Sequence, residues 1–127
     1  MTDYHEQWDA LPERVRDFHR ALSSLKEEIE AIDWYDQRHA LCADPELKRV
    51  IAHNRDEEIE HAAMTLEWLR RNMAGWDAAL RTYLFTESSI TEKEAAEEGG
   101  SQSAGESAAP NPGALARALG IGSLKGK

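Results

Sequence analysis

Trp8, Leu11, Val15, Phe18, Leu22, Leu25, Ile29 and Ile32 recur at steps of three and four residues. This near-heptad stripe predicts one amphipathic helix from about residue 7 to about residue 37. At ~1.5 Å rise per residue it spans roughly 45 Å. A second stripe runs Leu47, Ile51, Asn54, Glu58, His61, Thr65, Trp68. Asp44 followed by Pro45 reads as an N-cap with proline at the first helical position, opening a helix that continues to about Asn72. Gly75 predicts a break, and Trp76, Leu80, Tyr83 and Leu84 predict a third, shorter helix. The fold class is all-α, with the two long helices as an antiparallel hairpin.

A hairpin of this kind cannot complete a bundle. Each of two striped helices keeps about half its apolar surface unburied, and so small a core needs a partner. Two hairpins make four helices, so a homodimer with two-fold symmetry is the economical solution.

The second stripe also has a gap. Apolar residues hold its two ends, while its middle carries Asn54, Glu58 and His61. A carboxylate in a helix interface is costly unless it is paired or bound to a metal. Glu58 and His61 are three residues apart, so they project from one helix face as adjacent ligands. Di-iron carboxylate bundles use this Glu-x-x-His unit twice, with one further Glu from each of two other helices. The chain offers half of that set. The first helix offers Glu27, Glu28, Glu30 and Asp33 for the remaining carboxylate. Glu28 is favoured because it lies three residues after Leu25 and four before Ile32, on the apolar stripe. A symmetric dimer would double Glu28, Glu58 and His61 into a six-ligand site, the same dimer that core size requires.

Blander readings apply to the same residues. HNRDEEIEH also fits a solvated face whose Glu–Arg pairs give a few tenths of a kcal/mol each. Glu27, Glu30 and Asp33 form an acidic ladder, ordinarily surface, that beside a metal site would hold incoming cations. His53 shares nearly the face of His61 and reads as a half-buried helix histidine rather than a ligand. His5, His19 and His39 have no comparable context. Tyr35 lies seven residues from Glu28, about 10 Å along the axis, near enough to act as a hydrogen-bonding or redox-active phenol. Trp34, Trp68 and Trp76 read as large interface residues.

Charge and composition narrow the partners. Residues 1–98 carry a net charge of −11 and residues 99–127 a net of +2. The acidic body argues against nucleic acid or anionic membrane and suits gathering cations. The single Cys42 excludes an internal disulfide framework and fits a reducing compartment. No apolar run approaches the ~18 residues of a membrane span, and MTDYHEQWDA lacks the pattern of a signal peptide. The expectation is a soluble, cytoplasmic protein. From Gly99 the sequence GGSQSAGESAAPNPG reads as a flexible linker over residues 99–113. Leu115, Leu119, Ile121 and Leu124 beyond it read as a docking peptide over residues 114–127.

The segments IEAIDWYDQRHA, DPELKRVIAHNRDEEIEHAAMTLEWLRRN and LRTYLFTE together resemble the encapsulated ferritins of bacteria and archaea. The resemblance covers most of residues 15–92, and the ending LGIGSLKGK resembles the signals that dock cargo inside encapsulin shells. It implies a two-helix half-ferritin over residues 1–98 that dimerises to build a ferroxidase centre, with dimers in a ring-shaped decamer. By matching position it implies iron ligands at Glu28, Glu58 and His61, with Glu58 bridging two irons. It further implies Tyr35 and Trp34 nearby, and outer cation-attracting carboxylates at Glu27 and Glu30 that would also take a secondary divalent ion such as calcium. The implied activity is oxidation of iron(II) by oxygen inside an encapsulin compartment that stores the product. The rivals are a metal-binding bundle without turnover and a structural helical adaptor tethered by its tail. The chain before about residue 15 is not matched, and Cys42 and His39 have no role by this resemblance.

Overall fold

A computed structural model of the protein describes residues 4–101. A 3-10 turn, Trp8–Ala10, precedes two long helices, α1 (Glu13–Leu41) and α2 (Pro45–Asn72). Two shorter helices follow, α3 (Trp76–Tyr83) and α4 (Ile90–Ser101). No described residue lies in a β-strand. The all-α hairpin expected from the two stripes is therefore the architecture.

Its boundaries have local causes. The first helix was expected from about residue 7, but α1 begins only at Glu13. Leu11 precedes a proline and is held extended, at φ −76° and ψ 133°, because the proline ring excludes it from the helical region. Trp8 consequently leaves the stripe. Its carbonyl accepts two bonds from Arg16, from Nη2 at 2.8 Å and Nε at 3.1 Å. The guanidinium of Arg16 also lies over the indole, 4.5 Å from its centroid. Tyr4 meets Trp8 edge-on at 5.0 Å and stacks on His19 at 3.9 Å, so the segment before α1 folds back along the helix. At the other end α1 continues to Leu41, since nothing stops it before the Asp44–Pro45 signal. There the Asp44 carboxylate accepts from the Leu47 N–H at 2.8 Å, and Pro45 opens α2 as expected.

The chain divides into two compact units, one ending at Asp77 and the other starting at Ala78. In the first, α1 and α2 pack against each other. Arg14 pairs with Asn72, Glu28 with Thr65 and Asp36 with Arg55, early residues with late ones, so the helices run antiparallel. Ile51, Ala62 and Leu66 are half-buried and Leu69 is buried, which marks the side of α2 that packs on α1. Leu69 is the only fully buried side chain among the described residues. Large apolar residues remain exposed on both helices. On α1 these include Val15, Leu22 and Ile29, seven residues apart, together with Trp34 and Leu41, and on α2 they are Leu47, Val50, Ile59, Met64 and Trp68. A two-helix layer has no third side to cover them.

Gly75 ends the run after α2 with φ +97°, a left-handed conformation that suits glycine, so the predicted break is where the backbone turns. In the second unit, α4 was not anticipated. ITEKEAAEEGGS has no apolar stripe to announce it, but its Ala, Glu and Lys favour helix intrinsically. Burial and then Glu94, Glu97 and Glu98 raise the pKa of the Tyr83 phenol above its ordinary value. The linker expected from Gly99 begins within the last turn of α4, and its remainder and the docking peptide of residues 114–127 lie outside the described residues. Among the described residues no helix is long and apolar enough to cross a membrane.

Candidate metal centre

Midway along the hairpin, α1 contributes Glu28 and α2 contributes Glu58 and His61. One ligand atom from each lies within 4.8 Å of the other two, and no other such group occurs among the described residues. Glu28 and Glu58 are half-buried and His61 is exposed. The helical repeat explains the convergence. Glu58 and His61 share a face because they are one turn apart, and the antiparallel register carries Glu28 opposite that turn.

The donors suit a divalent cation. A bond length of ~2.1 Å places two donors of one ion at most ~4 Å apart, so these side chains close on an ion with small adjustments. His61 Nδ1 stands 3.6 Å from Glu58 Oε2, too far for a hydrogen bond, so neither holds the other back. Two carboxylates this close repel when both are ionised, and a cation between them reverses the sign. Two oxygens and an imidazole are a donor set for iron, manganese or zinc rather than for calcium alone.

Glu28 has a further partner. Thr65, one turn beyond His61, donates from Oγ1 to Glu28 Oε2 at 3.2 Å. The same hydroxyl lies 3.1 Å from the His61 carbonyl oxygen. The sequence placed Thr65 on the stripe but gave no signal for this bond, because the contact joins two helices and depends on their register.

Other candidates are dispersed. Glu27 and Glu30 are exposed on α1 outside the trio. Asp33 accepts from Gln37 at 3.0 Å. Tyr35 is half-buried, with the guanidinium of Arg38 5.7 Å from its ring centroid, and Trp34 is about half exposed. His53 is an exposed partner of Glu57 at 3.0 Å, so its half-buried reading is corrected: it points to solvent and to its own helix. The Cys42 thiol faces the Asp44 carbonyl at 3.7 Å in the hairpin turn.

The ligands lie at an edge. Counting ~100° per residue, Glu58, His61 and Thr65 fall between the face of α2 that meets α1 and the exposed face of Val50, Met64 and Trp68. The trio therefore opens onto apolar surface that one chain leaves uncovered.

Comparison with known proteins agrees with this construction. The EncFtn-like family pattern matches residues 3–87. An encapsulated ferritin-like protein of Rhodospirillum rubrum is 57% identical over 126 residues, covering 97% of this chain and 88% of that protein. A ferritin-like protein of Thermotoga maritima is 60% identical over 106 residues, covering 83% of this chain and 93% of the relative. A crystal structure of a Nitrosomonas europaea protein superposes with a TM-score of 0.68 at 53% identity, covering 70% of this chain and 98% of that one. With an antiparallel helix pair that presents two carboxylates and an imidazole at its open edge, the chain belongs to the EncFtn-like family of encapsulated ferritin-like proteins.

Proposed function

We propose that the protein is a ferroxidase, oxidising iron(II) to iron(III) with oxygen at a di-iron centre shared by two copies of the chain. One observation carries the reading: the Glu28, Glu58 and His61 trio is half of a di-iron ligand set, and it opens onto an uncovered apolar edge. A second hairpin docked there supplies the other half. In this reading Glu58 of each chain bridges the two irons, and Glu28 and His61 of each chain terminate them.

Iron(II) is the substrate. Each ion gives up one electron to oxygen, and the gain in positive charge is offset by carboxylate oxygens that bind the harder iron(III) more strongly. The protein fixes donor geometry and leaves coordination positions open to oxygen. Glu27 and Glu30 draw cations toward the site from the exposed side of α1 and would hold a second divalent ion such as calcium. Tyr35 sits two turns from Glu28 as a phenol available to the reaction.

Assembly follows from the same surfaces. A dimer covers the ligand edge, and the remaining apolar stripe joins dimers into a ring, which we take to be a decamer. Residues 99–113 act as a tether and residues 114–127 as the peptide that docks in an encapsulin shell, consistent with the relative described as encapsulated. An open ring has no cavity to retain mineral, so the shell stores the product.

The test is oxygen consumption after iron(II) is added to the full chain and to Glu28→Ala, Glu58→Ala and His61→Ala. Each substitution removes two ligands per dimer and is expected to abolish most turnover while leaving helix content intact. Tight iron binding without oxygen consumption would establish the rival reading of a metal-binding bundle, and no metal binding at all would favour a structural adaptor. Deleting residues 114–127 should preserve oxidation but prevent co-purification with a co-expressed encapsulin shell.

A further inference from the structure

Glu28 is the only member of the trio that α1 supplies, so its carboxylate must cross the helix interface to reach the other two. We propose that Thr65 is a positioning residue for Glu28, setting the orientation of that carboxylate before any cation arrives; the inference rests on the metal-centre reading above.

The geometry is specific. Thr65 Oγ1 donates to Glu28 Oε2 at 3.2 Å. A hydroxyl carries one proton, and the second acceptor within its reach, the His61 carbonyl oxygen at 3.1 Å, lies on its own helix. The bond restrains the Glu28 carboxylate against α2, the helix that carries Glu58 and His61, and a carboxylate has a second oxygen to offer a cation. The fallback to the His61 carbonyl means that the hydroxyl is not left without an acceptor when Glu28 moves onto an ion. Thr65 thereby links the ligand of α1 to the helix that carries the other two, without being a ligand itself.

The surroundings separate positioning from folding. Thr65 also lines an open groove of about 530 Å³ with Asp17, Ser24, Met64 and Trp68. Glu28 is only half-buried, so its carboxylate keeps access to water when the hydroxyl is gone, and removing it costs little stability. What is lost is orientation. Groups that orient metal ligands are typically worth about 10- to 100-fold in affinity, and a half-buried single bond belongs at the lower end, about tenfold.

Cobalt(II) titration of the full chain, followed by its visible absorption, reads both affinity and coordination geometry. Thr65→Val keeps the shape and removes the hydroxyl, and Thr65→Ser restores it. The expected result is about tenfold weaker cobalt binding and an altered visible band in Thr65→Val. Thr65→Ser should return toward the wild type, with apo melting temperatures alike in all three. Thr65→Ala serves in the same role if the valine variant misfolds. Wild-type binding by Thr65→Val, or no recovery in Thr65→Ser, overturns the assignment, as does a large fall in apo stability that accounts for the loss. If the wild type itself takes up no cobalt while remaining folded, the metal-centre reading fails and this inference fails with it, an outcome visible before any variant is compared.

Discussion

Arg14, in the first turn of α1, donates from Nη2 to both the backbone carbonyl and the side-chain Oδ1 of Asn72 in the last turn of α2, at 3.0 and 3.1 Å. The bonds close the open end of the hairpin, which no loop holds. They also bring a cation to carbonyls that α2 leaves unsatisfied at its C-terminus, where the helix dipole favours positive charge. The same guanidinium lies 5.0 Å from the Phe18 ring centroid and 6.0 Å from that of Trp68. Arg14→Ala is expected to destabilise the protein by about 1 kcal/mol. Arg14→Lys should recover only part of this, because a lysine ammonium keeps the charge but not the flat guanidinium that also lies against Phe18 and Trp68. Thermal unfolding of the apo protein checks it, and equal melting of the alanine variant and wild type would show that the pin is dispensable.

Metal should drive assembly. Across a dimer edge the two trios bring four carboxylates together, which repel when no cation is present and attract once two divalent ions bind. Adding iron(II) under anaerobic conditions should shift the protein from monomer or dimer toward larger rings, and a chelator should reverse the shift. Native mass spectrometry reads both directions. A size distribution indifferent to iron and chelator would place the ligands away from any interface.

Much of this was legible in the sequence because helices repeat. A period of 3.6 residues places Glu58 beside His61 and singles out Glu28 among four acidic neighbours before any tertiary contact is known. The Asp44–Pro45 start and the Gly75 break were legible because each depends on one or two residues. Three features were not. The late start of α1 follows from Pro12, whose effect on Leu11 competes with an otherwise unbroken apolar rhythm. The α4 helix has intrinsic propensity but no stripe. The Thr65–Glu28 and Arg14–Asn72 bonds depend on how far two helices slide past each other, which no local pattern encodes.

Val15, Leu22 and Ile29 form an exposed line along α1, and Ile29 is 55% accessible. At ~100° per residue, Leu22 and Ile29 lie a quarter turn or more from Glu28, so this line is separate from the ligand edge. Leu22→Arg should therefore leave metal binding intact while removing the largest assemblies, because an apolar contact is replaced by a charge that cannot be buried unpaired. Light scattering in the presence of iron(II) should show dimers where the wild type shows rings. Rings of undiminished size would mean that this stripe stays in solvent.

The C-terminal turn of α2 carries a pH-dependent contribution to stability. Glu67 accepts from Arg70 through both carboxylate oxygens and from Arg71 Nε at 3.2 Å, while Arg70 Nη1 also reaches Asp77 at 2.5 Å. Hydrogen bonding from Arg70 above all, supported by its charge and by Arg71, holds the Glu67 carboxyl below its ordinary range against the opposing effect of burial. A carboxyl with a lowered folded-state pKa stabilises the fold above its unfolded pKa, and that contribution disappears as pH falls through the folded value. Glu67→Gln should thus melt below the wild type at neutral pH, with the gap narrowing as the pH is lowered from about 7 to about 3. Because the pair is partly exposed, salt should shrink the gap at neutral pH as well. Melting curves of the two proteins across that range decide the matter: a gap that stays constant with pH would assign the loss to packing rather than to the charge on Glu67.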